Sequence, residues 1–180
     1  MADMRQRLEK FALSLHPEKT RLIEFGRFAA KDRESRGLGK PETFDFLGFT
    51  HICSRSRRGV FQLKRQTRRD RMRARLRAIK EELRRRMHEP IPLQGKWLGQ
   101  AVRGYFAYHA VPTNNRCLGA FRHYVVDLWR RSLVQRSQRD RTTWNRMVKL
   151  VAEFLPPPRI LHPWPRVRFA VKHPRWEPGA

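Results

Sequence analysis

The sequence is poor in several things at once. Only two of its 180 residues are cysteine, Cys53 and Cys117, far apart and in no zinc-ligand spacing, so neither a disulfide framework nor a zinc finger is indicated. No two of the seven histidines stand four positions apart, the spacing a helical metal pair uses. No run approaches the roughly 18 apolar residues of a membrane-spanning helix, and MADMRQRLEK at the start lacks the apolar stretch of a secretory signal. The expectation is a soluble, cytoplasmic chain with no membrane partner. Acidic residues are the most telling shortage, 16 Asp and Glu against 41 Lys and Arg, a formal charge of +25.

Self-repulsion on that scale opposes compaction unless a polyanion neutralises it, and nucleic acid is the common source of phosphate. What is present divides the chain by period. Asp3 to Leu13 carries Met4, Leu8, Phe11 and Ala12 at helical spacing and stops before Pro17. TRLIEFGRF (20–28) reads as a strand, AAKDRESRGLGKPE (29–42) as a polar surface loop, FDFLGFTH (44–51) as a second strand and GVFQLK (59–64) as a third.

From there the apolar period changes from two to about 3.6. Met72, Leu76, Ile79, Leu83 and Met87 recur at helical steps, predicting one long amphipathic helix with Thr67 as its cap, Asp70 in its first turn and Pro90 and Pro92 beyond its end. Further helices are expected over Trp97–Phe106, Leu118–Leu128 and Trp144–Leu155, followed by a proline-rich extended tail. The fold class predicted is α+β, a small antiparallel sheet followed by a mainly helical part.

At 100° per residue, Arg69, Arg73, Arg77, Lys80 and Arg84 form a stripe beside the apolar face of the long helix. Arg68, Arg75 and Arg86 flank that face on its other side, and Asp70, Ala74, Ala78 and Glu81 point outward. Such a stripe can follow phosphates along a duplex, or it can simply rim a packed helix with stems buried and heads solvated. The excess of arginine over lysine suits phosphate recognition through the planar donor fork. RGYFAYH and FRHYVVDLWRR interleave aromatics with charge; Trp97, Phe106, Phe121 and Trp129 are expected in the core, leaving Tyr105, Tyr108 and Tyr124 as candidates for base or sugar contact. Arg103, Arg122, Arg130, Arg131, Arg136, Arg139 and Arg141 complete the basic candidate surface.

LSLHPEKTRLIEFGR, FDFLGFTH, WLGQAVRGYFAYHAVPTNN, LWRRSLVQRSQRDRTTW and LPPPRILHPWPRVRF, in that order, resemble successive blocks of bacterial group II intron reverse transcriptase/maturases. The resemblance implies that 1–64 is the last part of a polymerase palm, 65–155 a helical thumb or maturase domain, and 156–180 a basic proline-rich tail. It makes FDFLGF a strand that grips a primer end, with Phe46, Leu47 and Gly48 beside the nucleic-acid backbone; plain sheet core is the competing use of Phe44 and Phe46. It aligns Lys19 with a lysine thought to protonate departing pyrophosphate, a role suited to an ammonium beside a phosphate.

The magnesium-binding carboxylates of that family come from an earlier palm strand and a Tyr-Ala-Asp-Asp hairpin, and no Asp-Asp pair occurs in this sequence. The chain is thus expected to hold no cofactor and to be inactive alone as a polymerase, although the complete family enzyme would use Mg2+. The implied partner is structured group II intron RNA, bound to assist splicing and mobility. A DNA target, an RNA/DNA duplex and a separate fingers-palm polypeptide are further partners the resemblance allows. One half of a split RNA-directed DNA polymerase, or a decayed mobile-element remnant, are the alternatives.

Overall fold

The spacing of Met72, Leu76, Ile79 and Leu83 puts four apolar side chains on one stripe, and the segment folds accordingly. In the computed structural model, which describes residues 2–17, 20–136, 143–165 and 167, it forms a helix over Arg69–Arg85. In chain order the elements are α1 Ala2–Glu9, α2 Ala29–Ser35, β1 Phe44–Phe46, β2 Phe49–Arg55, β3 Phe61–Thr67, α3 Arg69–Arg85, α4 Ile91–His109, α5 Asn115–Arg136 and α6 Trp144–Phe154. The class is α+β, with a three-stranded antiparallel sheet of order β1-β2-β3.

The chain forms two compact units, 1–43 with 52–63, and 44–51 with 64–180. In the first, α2 is held by Glu24, which accepts from Arg33 at 3.1 Å and Arg36 at 2.7 Å. Cys53 Sγ accepts from the Gly26 amide at 3.3 Å. Ala29 is the one buried residue among the described residues of this unit, while Met4, Phe11, Leu13, Leu22 and Phe28 are exposed.

The second unit holds the core. Ile79 and Leu83 of α3, Leu98, Val102 and Phe106 of α4, Leu118, Phe121, Val125, Trp129 and Leu133 of α5, and Met147 of α6 form one buried cluster. Each large side chain there contributes about 1.5–3 kcal/mol by leaving water. α4 begins with Pro92 in its first turn, where a missing N–H costs nothing. Gly95 and Gly99 lie one turn apart on α4 where Phe154 of α6 crosses. A Cβ on Gly95 would stand 2.5 Å from the Phe154 ring, and one on Gly99 would stand 2.5 Å from its carbonyl oxygen.

Fully buried Gln94 closes the end of α3. Its Nε2 donates to the carbonyls of Arg86 at 2.9 Å, Glu89 at 3.1 Å and Met87 at 3.3 Å, and its Oε1 accepts from Trp129 Nε1 at 3.1 Å. Carbonyls left open by the helix end are thereby satisfied inside the core.

Five expectations are corrected. TRLIEFGRF is not a strand: Gly26, at φ +132°, breaks the extended run, and no β partner lies beside it among the described residues. The loop expected over 29–42 contains α2, begun by two alanines and ended before Gly37 at φ +67°. FDFLGFTH is two strands, not one, and Thr67 is not the cap of α3: Arg68 holds that position without a side-chain cap, and Thr67 ends β3. The first helix is also shorter than Asp3–Leu13, ending at Glu9.

Candidate nucleic-acid interface

The hairpin of β1 and β2 turns on two residues. Phe46 faces Phe49 across the ladder, and Leu47 at φ 47° and Gly48 at φ 77° make the connection, both left-handed as a two-residue hairpin of this twist requires. Glycine takes that conformation freely; leucine does so rarely. Leu47 is held there because its carbonyl accepts the Tyr108 hydroxyl at 2.7 Å, while the Gly48 carbonyl accepts the Arg68 amide at 3.1 Å. Phe49, buried beneath the turn, stacks on Tyr108 with centroids 5.7 Å apart and meets His109 at 5.5 Å. Phe46 and Leu47 project outward, 58% and 65% exposed.

The loop between α4 and α5 completes the end of β3 with side chains. Thr113 Oγ1 accepts the Arg65 amide at 2.8 Å and donates to the Arg65 carbonyl at 3.3 Å. Asn114 Oδ1 accepts the Thr67 amide at 3.0 Å, and its Nδ2 donates to Thr67 Oγ1 at 2.7 Å and to the His109 carbonyl at 2.8 Å. Thr113 sits at φ 77°, a conformation that costs a β-branched residue about 1–3 kcal/mol and that these bonds offset.

Thus anchored, the hairpin tip overhangs a groove between α3 and α4 of about 530 Å³, lined by Leu47, Gly48, Arg71, Arg75, Gly104 and Tyr108 among others. At its floor Tyr105 stacks on His109 at 4.0 Å and on Phe121 at 3.6 Å. Burial pushes the Tyr105 hydroxyl up to about 12, opposed in part by Thr67. Burial likewise holds the His109 imidazole below its ordinary value, a pull the hydrogen bond to the Tyr105 carbonyl partly offsets.

A second groove, about 1110 Å³, lies on the other side of α3, between it and α5. Arg68, Arg69, Arg73, Arg116 and Tyr124 line it, together with Asp45 and Asp70. Met72 and Leu76 contribute the apolar part of its wall, while Ile79 and Leu83 of the same stripe are buried in the bundle.

The arginines sort into two kinds. Arg68 is bound by Asp70 at 2.7 Å and Asp45 at 3.5 Å, and Arg86 by Glu82 at 2.7 Å and Glu89 at 3.3 Å. Arg122 is half-buried and donates to the carbonyls of Pro156 at 3.0 Å and Leu155 at 3.4 Å, closing the end of α6; burial pulls its guanidinium below the ordinary value. Arg130 lies over the Trp144 ring at 5.0 Å, Arg131 pairs with Asp127 at 2.8 Å, and Arg136 donates to the Glu89 carbonyl at 3.1 Å. Arg69, Arg73, Arg77, Lys80 and Arg84, by contrast, are exposed and form no ion pair among the described residues, and the same holds for Arg71, Arg75 and Arg116.

The structure therefore brings the α3 stripe and the Phe46–Gly48 tip into the same unit, and leaves Arg122, Arg130, Arg131 and Arg136 in structural contacts. Arg103 is exposed on α4. Lys19, Arg139 and Arg141 lie outside the described residues. Of the three tyrosines, Tyr105 is buried and unavailable for stacking, while Tyr108 and Tyr124 are 51% and 50% exposed, one at each groove. Sequence reasoning passed over Arg71, which the helical wheel places away from the stripe, and Arg116, whose place beside Arg69 and Arg73 exists only after α5 packs on α3.

No helix among the described residues is long and apolar enough to cross a membrane. Comparison with protein-family models, curated proteins and solved structures finds no match to this chain, so its functional reading rests on its own residues.

Proposed function

We propose that this chain is the RNA-binding C-terminal portion of a group II intron-type reverse transcriptase/maturase, the end of the palm followed by the helical thumb, and that it binds structured intron RNA to assist splicing and mobility. One observation carries the binding part: the α3 guanidinium groups that line the two grooves, those of Arg69, Arg71, Arg73 and Arg75, have no carboxylate partner among the described residues. A helix designed for solubility alone would pair them along its surface, as Glu82 with Arg86 does. The order of the sequence blocks supports the family part.

In this reading the exposed row Arg69, Arg73, Arg77, Lys80 and Arg84 meets the phosphates of an A-form helix, recognised by shape. α3 spans about 25 Å at 1.5 Å per residue, enough to follow several phosphates. The Leu47–Gly48 tip, braced by Tyr108, presents a rigid apolar knuckle to a strand end. The carboxylate pairs that place magnesium in such polymerases are not in this sequence, so the chain's own chemistry is binding and positioning.

The test is binding of the purified chain to a structured group II intron RNA and to an unrelated RNA of equal length across salt. If six to ten phosphates are engaged, affinity falls by roughly 10³ to 10⁵ between 50 and 200 mM salt. Arg73→Gln, Arg77→Gln and Arg84→Gln together weaken binding and flatten that slope. A flat salt response overturns the reading, and equal affinity for both RNAs removes the maturase part of it.

A second reading, one half of a split polymerase, is favoured by the first unit's exposed Met4, Phe11, Leu13, Leu22 and Phe28, against a single buried alanine among its described residues. A separate fingers-palm polypeptide would cover such a surface. Primer extension that requires both polypeptides distinguishes it.

A further inference from the structure

We propose that the chain holds two RNA segments at once, one in each groove beside α3, and so bridges strands that are not otherwise joined. The inference rests on the RNA-binding reading above and adds to it a number of sites and an activity.

The two grooves share no lining residue. Arg71 lies about 200° from Arg69 around the helix axis, and Arg75 stands in the same relation to Arg73, so the two pairs face opposite sides. Between them Met72 and Leu76, which form part of the wall of the α5-side groove, pack against the bundle core, and Ile79 and Leu83 beyond them are fully buried, so α3 is seated on the bundle and leaves no passage for a strand beneath it.

At the N-terminal end of α3 the unpaired basic surface is interrupted. Arg68 lies between Asp45 and Asp70, at 3.5 Å and 2.7 Å, and Thr50 donates to Asp45 at 2.6 Å. A phosphate chain rounding that end would meet two carboxylates.

Each groove nevertheless offers the same recognition set. The α4-side groove has Arg71 and Arg75 with no carboxylate in its lining, a formal +2; the α5-side groove has Arg68, Arg69, Arg73 and Arg116 against Asp45 and Asp70, four positive charges less two negative, also +2. Each also has a half-exposed tyrosine, Tyr108 or Tyr124, whose ring offers a face to a base or ribose. Equal and separated charge with a stacking ring on each side is what two independent ligands require. A single ligand would be served by one continuous basic surface.

The experiment uses the full chain and two non-complementary RNA hairpins, one immobilised on beads and one fluorescent, with the oligomeric state fixed by light scattering and the stoichiometry by titration at low salt. The expected result is protein-dependent capture of the fluorescent RNA, with two RNAs bound per chain. Arg71→Gln with Arg75→Gln, and separately Arg69→Gln with Arg73→Gln, should each leave one RNA bound per chain and abolish capture. All four side chains are exposed, and circular dichroism confirms that the variants keep their helices.

Saturation at one RNA per chain, with both pairs of substitutions weakening the same binding event, overturns the two-site proposal while leaving RNA binding intact. Capture through dimers that carry one RNA per chain overturns it equally. Absence of any RNA binding by the unsubstituted chain overturns the underlying reading instead.

Discussion

The Tyr108 hydroxyl donates to the Leu47 carbonyl at 2.7 Å, joining residues 61 positions apart and fixing the tip of the hairpin to the last turn of α4. The bond holds a leucine in left-handed backbone, so the tip depends on it. Tyr108→Phe retains the stack on Phe49 and loses only the hydroxyl. The expected cost is about 0.5–1.5 kcal/mol in denaturant unfolding, with faster amide exchange at Gly48 and Phe49. Unchanged exchange would show that the turn holds itself.

Asn114 carries three hydrogen bonds from a fully buried position. Asn114→Ala leaves the Thr67 amide and the His109 carbonyl short of a partner, and should lower stability by about 1–3 kcal/mol. Asn114→Asp can still accept from the Thr67 amide but cannot donate, so it too should be destabilised. Equilibrium urea unfolding of both variants checks this.

At the α4–α6 crossing, Gly99→Ala should be the more damaging of the two glycine changes. The added methyl at 99 meets a backbone oxygen, which moves only with α6 itself, whereas at 95 it meets the Phe154 ring at its Cγ, and relief there needs only that one side chain to swing to another rotamer. A cost of about 1–3 kcal/mol is expected from overpacking. Gly119→Ala on α5 is the control: nothing lies within 4 Å of the added carbon, and helix propensity predicts a gain of up to about 1 kcal/mol. Thermal unfolding should move the variants in opposite directions.

His109 gives stability a pH dependence of known sign. Burial holds its folded-state value below the ordinary 6.5, so between the two values the unfolded chain binds a proton that the folded chain does not. Its contribution is fully present above 6.5 and is lost as pH falls through 6.5 toward the lower, folded value. Unfolding midpoints at about pH 7.5 and about pH 5.5 should therefore drop less on acidification in His109→Gln than in the unsubstituted chain. An equal drop would place the dependence elsewhere.

Much of the helical architecture is legible in sequence because its apolar residues repeat every three or four positions. Met72 through Leu83 and Leu118 through Leu128 announce the faces they bury, and α6 begins at the expected Trp144. The hairpin is not legible, because Leu-Gly is not a usual pair for such a turn; what stabilises it is Tyr108, far away in sequence. The misread strand at 20–28 has strand-like composition but no neighbour to pair with among the described residues, and composition cannot supply one.

The candidate site divides in the same way. A wheel finds Arg69, Arg73, Arg77, Lys80 and Arg84, since one helix determines their common side. It cannot separate Arg122, which closes α6, from Arg116, which faces a groove: both are arginines on α5, and only tertiary packing assigns their work. Likewise, Gln94 has no signal in sequence beyond being polar in an apolar stretch.

The side chains of Thr113 and Asn114 occupy the outer amides of β3 at Arg65 and Thr67, where a fourth strand would otherwise dock. An open strand edge invites pairing with another chain and is a common start of aggregation. Here the last residues of that edge are already spoken for by groups that have no amide ladder of their own to offer onward. Growth of the sheet by addition of a neighbouring molecule is stopped at this point, even when phosphate neutralises the positive charge that would keep copies apart.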